Sequence, residues 1–231
     1  MAMTTVAPVT DSTALFLGTR KGAWILSADA ERRSWSVDGP HFLGHIVQHA
    51  VLDPRDGRTL LLAAGTGHLG PTLFRTTDFG ATWFEASRPP AFHTGERLSR
   101  SLRKVFWLTP GHPDEPGVWY AGGSPQGLFR SEDAGDTWAP VDGWNDHPMW
   151  ETWSEYPEEN TPDGSMLHSV IVDPRDADHL YLGLSAGGVF ESTDGGKDWS
   201  TLNQAVDAVF LPEPDADYGH DPNCVRLHPA D

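Results

Sequence analysis

Cysteine is almost absent from this chain of 231 residues, where Cys224 stands alone. A single thiol excludes an internal disulfide framework and a cysteine zinc cluster. Cys224 itself reads as a small residue buried in a strand. Basic residues are scarce too: 16 Lys and Arg face 33 Asp and Glu, a formal net charge of −17. Nucleic acid and an anionic membrane surface would both be repelled, so neither is expected as a partner, and a neutral or cationic ligand is easier to accommodate. No run approaches the roughly 18 apolar residues of a membrane span. The opening MAMTTVAPVTDSTALF lacks the basic start and apolar core of a secretion signal. The expectation is a cytoplasmic protein. Long helical patterns, composition-shifted linkers and metal spacings such as HExxH are missing as well. One domain over residues 1–231, with no cofactor and no metal site, is therefore expected.

What the chain has in abundance is turns and repeats. Its 24 Gly and 19 Pro, with 38% hydrophobic and 10% aromatic residues, suit many short strands around a substantial core. Three stretches share one pattern: TTDFGATW (Thr76 to Trp83), SEDAGDTW (Ser131 to Trp138) and STDGGKDW (Ser192 to Trp199). In each, a hydroxyl residue precedes an Asp (Asp78, Asp133, Asp194), then a Gly (Gly80, Gly135, Gly196), then a Trp (Trp83, Trp138, Trp199). The Asp can accept hydrogen bonds from turn amides and the Gly can take positive φ, which makes a tight hairpin. The Trp then opens the returning strand as an apolar plate.

Aligning outward from these turns gives a unit of four antiparallel strands, A to D. Strand A ends in Pro: QHAVLDP (48–54), KVFWLTP (104–110), HSVIVDP (168–174) and NCVRLHP (223–229). Strand B is TLLLAAG, VWYAGG or LYLGLS, and strand C is TLFRT, GLFRS or GVFES. The first unit has only B (Ala14 to Thr19), C (Gly22 to Ser27) and D (Ser34 to Val37), joined by a degenerate turn, SADAERRSW, that keeps Asp29 and Trp35 but lacks the Gly. At the far end, Asn223 to Pro229 is a strand A with nothing after it.

The repeated turn resembles the Asp-box, or BNR, repeat of sialidases, sortilin-type receptors, xyloglucanases and a photosystem assembly factor. That resemblance implies an all-β fold, a β-propeller of four-stranded antiparallel blades with Asp-box turns, holding about four blades' worth. Either the chain belongs to a larger propeller, which the family's usual blade number favours, or the terminal strand A closes a four-bladed disc against Ala14 to Thr19. It also implies that the box sits at the rim, away from any ligand. Three functions follow from it. The leading one is a ligand-binding face for a small polar ligand or carbohydrate. The second is a glycoside hydrolase of sialidase-like or xyloglucanase-like type. The third is an assembly or scaffold factor with a protein partner. No sialidase catalytic residue can be matched position by position, so catalysis is left open.

The site is sought among the long D-to-A connections, roughly 38–47, 86–103, 142–167 and 203–222, because long loops in a compact fold are commonly functional. Gln48, Lys104, His168 and Asn223 open the four A strands at one offset and should converge near a channel mouth, with a water-filled structural channel as the alternative. His45 and His220 are placed beside them, and with His49, His168 and Asp221 they form a weak metal-ligand set. In the loop after Trp144, the rings of Trp150 and Trp153 lie near Glu151, Glu155, Glu158, Glu159 and Asp163, a pairing that suits either sugar recognition or a loop pinned by its own tryptophans. Glu96, Arg97, Arg100 and Arg103 suggest either an anion clamp or ordinary salt bridges.

Overall fold

A computed structural model describes residues 13–66, 69–94, 100–154, 164–204 and 216–228. The fold is all-β, four antiparallel sheets in chain order. The first holds β1 (Ala14–Thr19), β2 (Gly22–Ala28) and β3 (Trp35–His41). The second holds β4 (Ile46–Leu52), β5 (Leu60–Thr66), β6 (Gly70–Thr76) and β7 (Phe84–Glu85). The third is β8 (Lys104–Pro110), β9 (Trp119–Ser124), β10 (Leu128–Ser131) and β11 (Ala139–Pro140). The fourth is β12 (Met166–Asp173), β13 (Asp176–Ser185), β14 (Gly188–Ser192) and β15 (Ser200–Thr201). Each is a simple meander in which sequence neighbours are ladder neighbours, as short turns between strands require.

The repeated turns form as their residues dictate. Oδ1 of Asp78 accepts the Thr82 N–H at 2.9 Å and Oδ2 accepts the Thr82 hydroxyl at 2.6 Å, while the Thr76 hydroxyl donates to Oδ1 and accepts the Gly80 N–H. Ser131, Asp133 and Thr137 repeat this arrangement, and Ser192 with Asp194 does so with the Lys197 and Asp198 amides. Gly80 and Gly135 have φ of 90° and 86°, and each turn presses on the preceding sheet. A Cβ at Gly80 would lie 2.8 Å from Ile25 Cδ1, and one at Gly135 would lie 2.7 Å from Leu61 Cδ2. Only glycine combines that backbone with that approach. In the degenerate first turn Asp29 still accepts the Arg33 and Ser34 amides.

Trp138 and Trp199 are buried, and each indole N–H donates to the carbonyl of its own turn glycine, Gly135 or Gly196. Trp83 is only half-buried, and its Nε1 has no hydrogen-bond partner. The cause is its neighbour: it packs on Phe42 and His41, beside the thinner first sheet.

The core is uneven. One large cluster runs through the second, third and fourth sheets, centred on Leu61, Trp119, Phe129, Leu182 and Phe190. A smaller one, Ala23, Val47, Leu62 and Ala64, fastens the first sheet to the second. Two sequence expectations need correction. Residues 223–228 adopt no strand, and β1 pairs only with β2, so the ladder that would close a four-bladed disc is absent among the described residues. Cys224 is exposed, because the segment that would have buried it is not in a sheet.

Candidate functional site

Strands β4, β8 and β12 are the first strands of their sheets, and side chains stitch them directly to one another. Nδ1 of His49 accepts the Leu108 N–H at 3.0 Å, joining β4 to β8. The Thr109 hydroxyl donates to the Val170 carbonyl at 2.8 Å, joining β8 to β12. Trp107 Nε1 donates to Thr109 Oγ1 at 2.8 Å. The Trp107 ring stacks on His49 with centroids 4.5 Å apart and planes 20° from parallel, and the Arg226 guanidinium lies 5.9 Å from the Trp107 centroid. Burial, then the nearby charge of Arg226, pushes the His49 pKa down to about 4. At neutral pH His49 is therefore uncharged, and with Nδ1 accepting, its proton sits on Nε2.

Each of these strands carries a bulge beside this stack. The ladder slips between Val47 and His49, between Val105 and Trp107, and between Leu167 and Ser169, leaving Gln48, Phe106 and His168 as the extra residues. Bulges bend a strand and re-aim a side chain. The ladder also revises the sequence alignment. Leu52, Pro110 and Val172 pair with Leu60, Trp119 and Leu180, so Pro110 lies two residues earlier in its strand than Pro54 and Pro174 in theirs. Phe106, not Lys104, is the counterpart of Gln48 and His168, and Lys104 corresponds to Ile46 and Met166. The strands also begin earlier than expected, at Ile46 and Met166, so only Lys104 opens its strand.

The four residues expected to converge near a channel mouth meet different fates. Gln48 is half-buried at its bulge, and the Lys104 ammonium sits 6.0 Å from the Phe106 ring. His168 is buried, its Nδ1 within 3.0 Å of the Ser169 hydroxyl and its Nε2 without a hydrogen bond of good geometry. Burial pushes its pKa down, with the Pro222 carbonyl and Asp221 pulling weakly the other way. Asn223 is exposed and outside any strand, although Val225 two residues on reaches β13, where a Cβ at Gly183 would meet it at 2.9 Å.

The flanking candidates prove to be packing residues. His45 stacks on Phe42 and Phe74, and buried His220 lies 2.8 Å from the Ala216 carbonyl through Nε2. Trp150 and Trp153 are 8% and 5% exposed and belong to the core cluster, so neither offers a ring face to a ligand; Glu151 beside them is exposed. The loop is pinned by its tryptophans: Trp144, within the short helix α1 (Asp142–Asn145), stacks on Trp153 at 5.5 Å and meets Phe190 and Trp199 edge-on. Arg100 lies 4.5 Å over Trp150, pairs with Asp146 and donates to the Asn145 carbonyl, which is salt-bridge and packing work. Glu96, Arg97, Glu155, Glu158, Glu159 and Asp163 lie outside the described residues. Among the described residues no group of three or more His, Cys, Asp or Glu side chains is placed to hold a metal ion.

Two residues escaped the sequence reading. Buried Asn145 accepts the Leu128 N–H through Oδ1 and donates back to the Leu128 carbonyl, and Asn203 does the same to Val189. Each side chain thus extends its sheet like one more strand residue. The signal in the sequence is an Asn two to five residues past the short last strand of the third and fourth sheets.

No family model matches the chain. It is 29% identical over 158 residues to an oligoxyloglucan-reducing end-specific xyloglucanase of Emericella nidulans, a match covering 67% of this chain and 17% of that protein. It is 31% identical over 161 residues to a xyloglucanase of a Paenibacillus species, covering 64% of this chain and 14% of that one. The chain thus spans about a sixth of the length of these relatives. Among solved structures, the GH74 xyloglucanase of Xanthomonas campestris superposes with a TM-score of 0.53 at 19% identity, over 82% of this chain and 27% of that chain. The shared feature is the fold, with blade-like sheets of the propeller kind.

Proposed function

We propose that this chain is an Asp-box β-propeller that binds a carbohydrate, of the xyloglucan class, where β4, β8 and β12 converge and the long inter-sheet connections end. The single observation that carries this reading is the stack of His49, Trp107 and Arg226. A half-buried indole beside a neutral imidazole gives a sugar an apolar plate and a hydrogen-bond donor, and the guanidinium adds further donors. The sugar class comes from the xyloglucanases that the sequence resembles.

Binding is favoured over hydrolysis by the carboxyl groups. Glycoside hydrolysis needs one carboxyl kept protonated by a raised pKa beside a second in its ionised form. The described carboxyls with a shifted pKa, Asp56, Asp78, Asp133, Asp173 and Asp194, all move down. Four of them serve turns, and Asp173 is held by Arg175.

The test is calorimetric titration with xyloglucan oligosaccharides, run on the native chain and on Arg226→Ala and Trp107→Ala. Saturable binding that weakens about tenfold or more in both variants, beside a near-native melting curve for the exposed Arg226→Ala, is the expected result. Release of reducing ends during the same incubation would move the assignment to a hydrolase. No binding to any glucan would remove the carbohydrate reading.

A further inference from the structure

The charge of this chain is unevenly spread. It holds 33 Asp and Glu, yet β4, β8 and residues 223–228 carry none, and β12 carries only Asp173. Asp173 ends its strand, away from the bulge at His168, and is held by Arg175. An acidic protein thus keeps carboxylates off the strands that border the proposed site.

The packing of the sheets explains what stands there instead. Gly122 and Gly183 pair with Trp107 and Ser169, the residues just past two of the bulges, so they hold the same place in their sheets. A Cβ at Gly122 would lie 2.6 Å from the Leu167 carbonyl oxygen, one at Gly18 2.8 Å from that of Val47, and one at Gly183 2.9 Å from Val225 Cγ2. Val225 therefore seats on the fourth sheet as Leu167 does on the third and Val47 on the first. Arg226 follows Val225 as His168 follows Leu167 and Gln48 follows Val47. It holds the place of a bulge residue, although residues 223–228 form no ladder, and the packing of Val225 delivers its guanidinium to Trp107.

Arg226 is exposed and makes no ion pair among the described residues. Its charge acts on buried His49, and no described carboxylate opposes it there. Asp221, the acid nearest in the chain, is turned to the Ala186 N–H and acts on His168 instead. The result is a local positive site in a chain of net charge −17.

We infer that this site selects an acidic saccharide, a hexuronic acid unit whose apolar face lies on the Trp107 indole while its carboxylate meets the Arg226 guanidinium. The inference rests on the carbohydrate reading above and names the unit that the site takes. The guanidinium carbon is 5.9 Å from the indole centroid, so both groups act on a single sugar unit. Its planar fork matches the two oxygens of a carboxylate, and the neutral His49 leaves an N–H for a sugar hydroxyl. A neutral sugar would use the indole and leave the charge unanswered.

Calorimetric titration tests this with four probes: a xyloglucan oligosaccharide, the same oligosaccharide with its free primary hydroxyls oxidised to carboxylates, the methyl ester of that product, and acetate. The oxidised form is expected to bind about tenfold or more tightly than both the native form and the methyl ester. Arg226→Gln, which keeps amide donors and loses the charge, should erase that preference, and Arg226→Lys should keep part of it. Lys197→Gln, at an exposed cation in the turn of the fourth sheet, should leave it unchanged. Native oligosaccharide that binds as well as the oxidised form would overturn this inference and leave the carbohydrate reading standing. So would a preference that survives in Arg226→Gln. Acetate binding as tightly as the oxidised oligosaccharide would mark a bare anion site and overturn it too. Failure of both oligosaccharides to bind would remove the carbohydrate reading and this inference together.

Discussion

His49 accepts the N–H of Leu108 at Nδ1, and that hydrogen bond joins β4 to β8 and fixes the tautomer of an imidazole that burial and the nearby charge of Arg226 keep neutral. A protonated ring would place a proton where the amide already donates, beside Arg226 and within a packed interior.

Acid should therefore weaken the fold earlier than carboxylate chemistry alone would allow. The folded pKa of His49, about 4, lies below the unfolded value near 6.5, so the unfolded chain binds the proton more readily. The resulting stability is complete above about pH 6.5 and is lost as pH falls toward 4, with His168 and His147 shifted in the same direction. Melting temperature against pH should slope through that window. His49→Asn, which keeps an acceptor but cannot titrate, should flatten part of the slope; an unchanged slope would mean that other groups set it.

The turn aspartates act lower on the pH scale. Hydrogen bonds from the Thr82 side chain and then its amide hold Asp78 down, and the amide of Asp198 leads at Asp194. At Asp133 burial pulls upward but is outweighed by Thr137 and Ser131. With folded pKa values depressed, this support is present above about pH 4 and is lost as pH falls through the folded values. The carboxylates stand near solvent, so amides freed by Asp→Ala can turn to water. Each such substitution should cost about 1 kcal/mol by urea denaturation.

Asn145→Ala should cost more, about 2 to 3 kcal/mol, because it strands a buried N–H and a buried carbonyl on Leu128 at once. Asn203→Ala is expected to behave alike through Val189. Parallel denaturation of the pair checks whether these side chains act as sheet extensions; a loss below about 0.5 kcal/mol would show that water replaces them.

Trp150→Ala is the control for the functional reading. Its ring is core, so the substitution should destabilise the protein by about 3 to 5 kcal/mol. Ligand affinity at temperatures where the variant is still folded should be unchanged. A selective loss of affinity with intact stability would return that loop to the site.

The sequence by itself determined the local chemistry. The spacing of a hydroxyl, Asp, Gly and Trp is enough to specify a turn, since every bond that holds Asp78, Asp133 or Asp194 comes from within the same few residues. Alternation of apolar residues then placed the strands of all four sheets to within a few positions. Tertiary structure decided whatever depended on how strands meet. Pro110 reads as the counterpart of Pro54, but the ladder to β9 shifts it by two residues, so Phe106 and not Lys104 matches Gln48 and His168. The bulges at Gln48, Phe106 and His168 leave no mark in composition, because an extra residue in one strand is defined only by its partner. Trp150 and Trp107 have the same side chain, yet one is sealed in the core and the other stands half-open beside His49. Burial is a property of what covers a side chain, and what covers it comes from a distant part of the chain.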